Sequence, residues 1–172
     1  PLHPRRISGR TDTDTFFSSI ESIRGYKCVQ LFYIRHKRFL YAKCLHRENQ
    51  SHVAFQDFIQ NVGAPQQVLA DNSQTQNGKK WTHTCRQYAI KQSNSVPHHQ
   101  NQNGSEWKIQ DVKNKTSHTL RMSGAPLLFW CYCLYFIIDC LNHTASEQLA
   151  WRTPQELLDG NTPDISVFRF EF

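Results

Sequence analysis

Ser51-His52-Val53-Ala54-Phe55-Gln56-Asp57-Phe58-Ile59-Gln60-Asn61-Val62 reads as a helix, and Gln66-Gln67-Val68-Leu69-Ala70, a few residues on, reads as a strand that stops at Asp71. Phe55, Phe58, Ile59 and Val62 fall at i, i+3, i+4 and i+7, one apolar stripe, and Ser51 is a suitable cap. Gly63 and Pro65 stop the helix. A helix that leads so soon into a strand is the second half of a βαβ unit, which sets Gln66–Ala70 parallel to an earlier strand.

That earlier part of the chain supplies strands. Cys28-Val29-Gln30-Leu31-Phe32-Tyr33-Ile34 and Phe39-Leu40-Tyr41-Ala42-Lys43-Cys44-Leu45 are β-branched and aromatic runs. The polar turn Arg35-His36-Lys37-Arg38 joins them as a hairpin, with a strand over 13–18 beside it. Further on, 81–88 reads as a short helix, 90–96 as a strand and 97–105 as a polar loop. A long helix over 105–122 stops at Gly124, with Ile109, Val112, Thr116 and Leu120 on one side and Glu106, Gln110 and Lys113 on another. An apolar helix follows Pro126, and Thr153-Pro154 opens a last short helix that Gly160 ends. Three strands, helix, strand, helix, strand, helix, helix define an α/β class: a mixed five-stranded sheet flanked by helices. Residues 1–10, basic and polar, read as a tail or linker from an upstream module, and 11–172 as one domain. The chain reads as a segment of something longer.

The 172 residues suffice for one domain with a real core, and 38% hydrophobic content is that of a globular chain. A net charge of +6 suits a polyanionic partner. The six cysteines form no CxxC pair, and read as buried free thiols in a reducing, intracellular setting rather than a disulfide framework. The nine histidines give no zinc spacing. The apolar run from Pro126 to Leu141 falls short of the roughly 20 residues a bilayer needs, so no membrane partner is expected. It reads as a buried helix that could meet a second subunit.

Three acids carry the chemistry. Asp14 lies in Thr13-Asp14-Thr15-Phe16-Phe17, Asp71 ends the strand after the first helix, and Glu106 opens the long helix. The gaps between them hold 56 and 34 residues. Three carboxylates gathered by a fold bind two divalent metals, a site that cuts and joins phosphodiesters. Ends of strands at the carboxyl edge of an α/β sheet are where such sites form. Asp12 competes with Asp14, since alternation puts both on one face. Asp111 is expected to be solvated. Arg35, Lys37 and Arg38 fit a DNA contact or a hairpin tip that is basic for solubility.

Several strings taken together resemble the integrase catalytic core of copia-type retrotransposons, a retroviral-type integrase with a ribonuclease-H-like fold. Thr13-Asp14-Thr15-Phe16-Phe17 resembles that family's first strand. Asp71-Asn72 with Gly78–Trp81 resembles its second acid, and His98…Asn103-Gly104-Ser105-Glu106 its lead into the catalytic helix. Leu141-Asn142-His143-Thr144, Arg152-Thr153-Pro154-Gln155-Glu156-Leu157 and Gly160–Asp164 resemble its downstream block. The match runs over nearly all of 11–172. The chain departs from the pattern in its second spacing, one residue short of the retroviral 35, and in Trp107, where a basic residue is expected and Lys108 comes next.

The resemblance implies a metal-dependent polynucleotidyl transferase that trims DNA 3′ ends and joins them to target DNA. Asp14 and Asp71 would hold one Mg²⁺ or Mn²⁺, and Asp14 with Glu106 a second. Lys113 and Lys108 would contact DNA phosphates, Gln102 would position the DNA end, and Asn72 would steady Asp71. The implied partners are element and target DNA and a second copy in a homodimer or higher even oligomer; the implied location is the nucleus. The alternatives are an inactive core that only dimerises and binds DNA, and a ribonuclease H, which the His98–Glu106 loop and the downstream block argue against.

Overall fold

A computed structural model of the chain describes residues 4–70, 78–94 and 104–166. Its strands are β1 (Arg6–Phe17), β2 (Cys28–Ile34), β3 (Phe39–Leu45), β4 (Ala64–Ala70) and β5 (Lys91–Asn94). Its helices are α1 (Ser51–Asn61), α2 (Lys79–Gln87), α3 (Gly104–Ser123), α4 (Trp130–Asn142) and α5 (Pro154–Asp159). The sheet runs β3-β2-β1-β4-β5. β1, β2 and β3 pair antiparallel, whereas β1–β4 and β4–β5 are parallel. The expected βαβ unit is therefore present, with α1 crossing from the hairpin to β4.

All seven residues of β2 are buried, because helices cover both faces of the sheet. Alternation splits its side chains between two cores. Phe32 and Ile34 meet α1 and α2, where Phe32 stacks on Phe58 at 4.6 Å and Phe55 on Trp81 at 4.2 Å between ring centroids. Val29, Leu31 and Tyr33 meet Ile109 and Val112 of α3 and Leu134 of α4. The apolar stripe expected on α3 is buried as drawn.

Residues 6–10 are strand rather than tail. Ile7 is only 2% exposed and pairs opposite Pro65, so β1 reaches back five residues before the expected domain start. Hydropathy hides this, since Ile7 is the one apolar residue of the stretch. The β1–β4 register slips between Ile7 and Arg10. Gly9 takes φ +80° there and gives its N–H to Gln66 Oε1 at 2.9 Å, a bulge that accommodates the missing N–H of the neighbouring proline. Pro65 thus sits inside β4. Gly63 ends α1 at φ +137°, where a Cβ would stand 2.6 Å from the Arg5 carbonyl oxygen. The Arg5 guanidinium donates to the carbonyls of Val62 and Leu158, which ties β1 to the ends of α1 and α5.

Smaller differences concern ends. Ser51 is the first residue of α1, not its cap; its buried hydroxyl finds no hydrogen-bond partner among the described residues. Arg35–Lys37 forms a 3-10 turn closed by Arg38 in the left-handed region. β5 starts at Lys91 rather than at residue 90, and Ser95 and Val96 lie outside the described residues. α5 forms as read: Thr153 Oγ1 accepts from the Glu156 N–H at 3.0 Å, and Gly160 takes φ +81°.

α4 is not buried all round. Trp130, Cys131, Leu134, Ile137 and Ile138 face inward, while Tyr132 and Phe136 are exposed. Among the described residues no helix is long and apolar enough to cross a membrane. All six cysteines are free, and burial pushes the Cys44 thiol up to about 12. α4 also seals the edge strand. Asn142 accepts from the Leu40 N–H at 2.9 Å and donates to the Leu40 carbonyl at 2.8 Å, and Tyr135 Oη accepts from the Cys44 N–H at 3.0 Å. An open edge is a template for pairing with other chains, and these two side chains occupy it. Asn142→Ala strips both partners from Leu40; we expect a loss of about 2–3 kcal/mol in urea unfolding and faster aggregation by light scattering.

Candidate active site

β1 sits at the centre of the sheet, and its side chains alternate between the two cores. Asp12 pairs opposite Tyr33 and Asp14 opposite Leu31, so both acids lie on the face that α3 and α4 cover. Their surroundings differ. Asp12 is 1% exposed and clamped by two guanidiniums, Arg10 on its own strand and Arg35 just past β2. Asp14 is half-buried, and its Oδ1 accepts from the Thr15 N–H at 2.7 Å. Asp12 is therefore committed to an internal ion cluster, and Asp14 is the acid at the rim.

The opposite face of the same strand segment carries a polar ladder that hydropathy does not reveal. Gln30, fully buried in β2, donates through Nε2 to Thr13 Oγ1 at 2.6 Å. Thr15 Oγ1 donates to Gln30 Oε1 at 2.7 Å, and Thr13 Oγ1 to the Leu31 carbonyl at 2.8 Å. These bonds grip the residues on either side of Asp14. The one signal in the sequence is a glutamine inside an otherwise apolar strand.

Glu106 occupies the first turn of α3 and is exposed, a position where the helix dipole favours a carboxylate. Seven residues on, Lys113 lies with its Nζ over the Phe16 ring, 4.8 Å from the centroid. That contact fastens α3 to the strand two residues past Asp14. Asp71, Asn72, His98 and Gln102 lie outside the described residues. Among the described residues no group of three His, Cys, Asp or Glu is placed to hold a metal ion.

Several basic residues serve the protein rather than a ligand. Lys108 is 9% exposed, bonds Asp111 at 3.1 Å and lies over the Trp107 ring, which removes it as an open phosphate contact. Asp111 is accordingly not a merely solvated acid. Burial works to raise its pKa, but hydrogen bonds from Lys115 and Lys108 outweigh that and leave it lowered. Arg35 is engaged by Asp12, and Lys37 Nζ donates to the Leu157 carbonyl at 2.7 Å. Two cations of the hairpin turn thus hold the fold together.

Searches of known structures return retroviral integrase catalytic cores. The HTLV-2 integrase core in complex with magnesium, in its trimeric form, matches with a TM-score of 0.70 and 18% identity over 91% of this chain and 98% of that one. The BIV integrase core gives 0.68 and 14% over 87% and 92%. A chain in the simian T-cell lymphotropic virus intasome with the PP2A regulatory subunit B56 gamma gives 0.72 and 13% over 95% and 60%. No protein-family model and no curated protein matches the sequence. The fold is therefore the ribonuclease-H-like fold of integrase catalytic cores.

The two acids of β1 make opposite predictions. Asp12→Asn leaves two guanidiniums without their counter-charge, and we expect thermal and urea unfolding to show a loss of about 2–3 kcal/mol. Asp14→Asn, at a half-buried position, keeps the acceptor for the Thr15 N–H and should cost less, by at least about 1 kcal/mol, than the change at Asp12. Equal losses at the two positions would remove the distinction between them.

Proposed function

We propose that the chain is a metal-dependent DNA strand transferase and endonuclease with Asp14, Asp71 and Glu106 as its acid triad. One observation carries the reading: in an integrase-core fold, Asp14 stands at the rim of the central strand, on the face covered by the helix whose first turn holds Glu106. Asp14 and Glu106 offer only carboxylate oxygens, the donors that Mg²⁺ and Mn²⁺ take. The HTLV-2 core is described in complex with magnesium, which supports that ion as the choice here, and we assign two of them to the triad. Bound at the triad, they supply Lewis acidity at a phosphodiester and lower the pKa of a water or a DNA 3′-hydroxyl.

The protein's own part is placement. Asp14 is held by a strand gripped on both faces, by the Asp12 ion cluster and by the Gln30 ladder. Lys113 meets a strand phosphate on the same helix as Glu106. Asn72 and Gln102 act at the second acid and the DNA end. The substrates in this reading are element ends and target DNA, handled in the nucleus; the copia-type assignment rests on the sequence strings. A branched DNA that mimics the joined product tests it. Mg²⁺- or Mn²⁺-dependent cleavage, lost with EDTA and lowered at least about a hundredfold by Glu106→Gln, is the expected result. DNA binding with no reaction from a folded parent would leave the inactive-core alternative.

The assembly in this reading is a homodimer or higher even oligomer through α4. Phe129, Tyr132 and Phe136 recur at i, i+3 and i+7 as an exposed aromatic stripe, 38–46% exposed, with Leu128 beside it. Monomers seldom leave such a stripe uncovered. HTLV-2 cores are described in dimeric and trimeric forms. Sedimentation should show an oligomer for the parent and a monomer for Phe136→Lys with an unchanged melting temperature.

A further inference from the structure

A cavity of about 550 Å³ opens where β1 ends, between the residues after Phe17, one face of α3 and the start of α4. Phe16 and Phe17 lie at its β1 end and Leu127 at the other, with Ser117 and two cations, Lys113 and Arg121, along α3. Phe17 is 61% exposed, unusual for the last residue of a central strand. No acid lines the cavity. Its character is therefore apolar and aromatic within, cationic at the sides, a combination that suits a flat ring attached to an anion.

We propose that this cavity holds one unpaired nucleotide of a DNA strand end, its base against the Phe16–Phe17 end and its flanking phosphates at Lys113 and Arg121. The inference rests on the proposed DNA-handling function and names a subsite for it. Size excludes a duplex but admits a single unstacked base. Eight residues of helix separate the two cations, about 12 Å along the axis, so their long side chains can reach two different phosphates of one strand, whereas a single small anion would meet only one of them. Base–aromatic stacking tolerates any sequence and adds to the pull of the two cations. The cavity begins two residues past Asp14, so a strand whose scissile phosphate reaches the acid has its neighbouring base at this opening.

The test is fluorescence anisotropy in EDTA, with a blunt duplex compared against the same duplex carrying two unpaired 3′ nucleotides. The parent should bind the tailed DNA about tenfold more tightly, and 2-aminopurine in the tail should be quenched. Ser117→Trp, which fills the cavity, and Arg121→Glu should each erase the preference while leaving blunt-duplex affinity for Ser117→Trp and both melting temperatures in place. Equal parental affinity for blunt and tailed DNA overturns the proposal. So does a preference that survives Ser117→Trp, or an acidic apolar peptide that occupies the cavity while tailed DNA does not. Because binding is read without metal, loss of strand transfer and loss of this subsite remain separable: an inactive chain still gives the tenfold difference if the pocket is real.

Discussion

Asp12 is held between Arg10 and Arg35 with almost no surface exposed, and the geometry of the sheet's central strand follows from that cluster. A buried carboxylate is costly unless charge and hydrogen bonds surround it, and here two guanidiniums supply both. Arg35 lies just past the end of β2, so the cluster locks β1 against β2 with Asp12 opposite Tyr33. Strands have a side-chain period of two, and a slip of one residue would turn Asp12 and Asp14 together to the other face. The ion cluster makes that slip prohibitive. Asp14 is thereby kept facing α3, and Phe16 is kept where Lys113 can lie over its ring.

The second constraint acts from the opposite face. Thr13, Thr15 and Gln30 satisfy one another within the core that contains Phe32 and Phe55, so the polar atoms stay paired without water. Such a closed polar set rigidifies its surroundings and fixes one arrangement among several that an apolar core would tolerate. Around Asp14, Thr13 and Thr15 thus carry neutral hydrogen bonds on one face of β1, while Arg10, Asp12 and Asp14 carry charge on the other. The strand is pinned from both sides around a single half-buried acid. In the proposed function, the precision that Asp14 needs as a metal ligand comes from this support.

Elements with a clear hydrophobic period could be read directly from the residues. The β2–β3 hairpin, α1, α3 and α5 stand close to where periodicity and capping residues put them, because burial of an apolar stripe is what forms them. β1 was legible only in its second half. Its first half has the one apolar residue Ile7, a glycine bulge and three arginines nearby, a composition that suggests a tail although it pairs along β4. Of the site, the position of Asp14 could be inferred from alternation, but its distinction from Asp12 could not. That distinction depends on burial and on Arg35, 23 residues away, bonding the Asp12 carboxylate, neither of which local sequence reveals. The same limit applies to charge. Arg5, Arg10, Arg35, Lys37, Lys43, Lys108 and Lys115 all have partners within the protein, so the net charge overstates what is left to meet a polyanion.

What remains for a polyanion is positioned rather than abundant, and α3 shows how. One face of the helix is core, from Ile109 to Leu120, and cannot turn without exposing it. That fixes the azimuth of the residues on its other faces. Glu106 then projects from the first turn, where the dipole supports its charge, and Lys113 follows about 10 Å along the axis. Lys113 is in turn held by Phe16, on the strand that carries Asp14. A helix fastened at its middle to the strand of one acid carries another acid at its start. Its cations at 113 and 121 border a cavity that begins at the same strand. Acid, cation and cavity are therefore set by one packing contact between α3 and β1, and a change in that contact would move all three together.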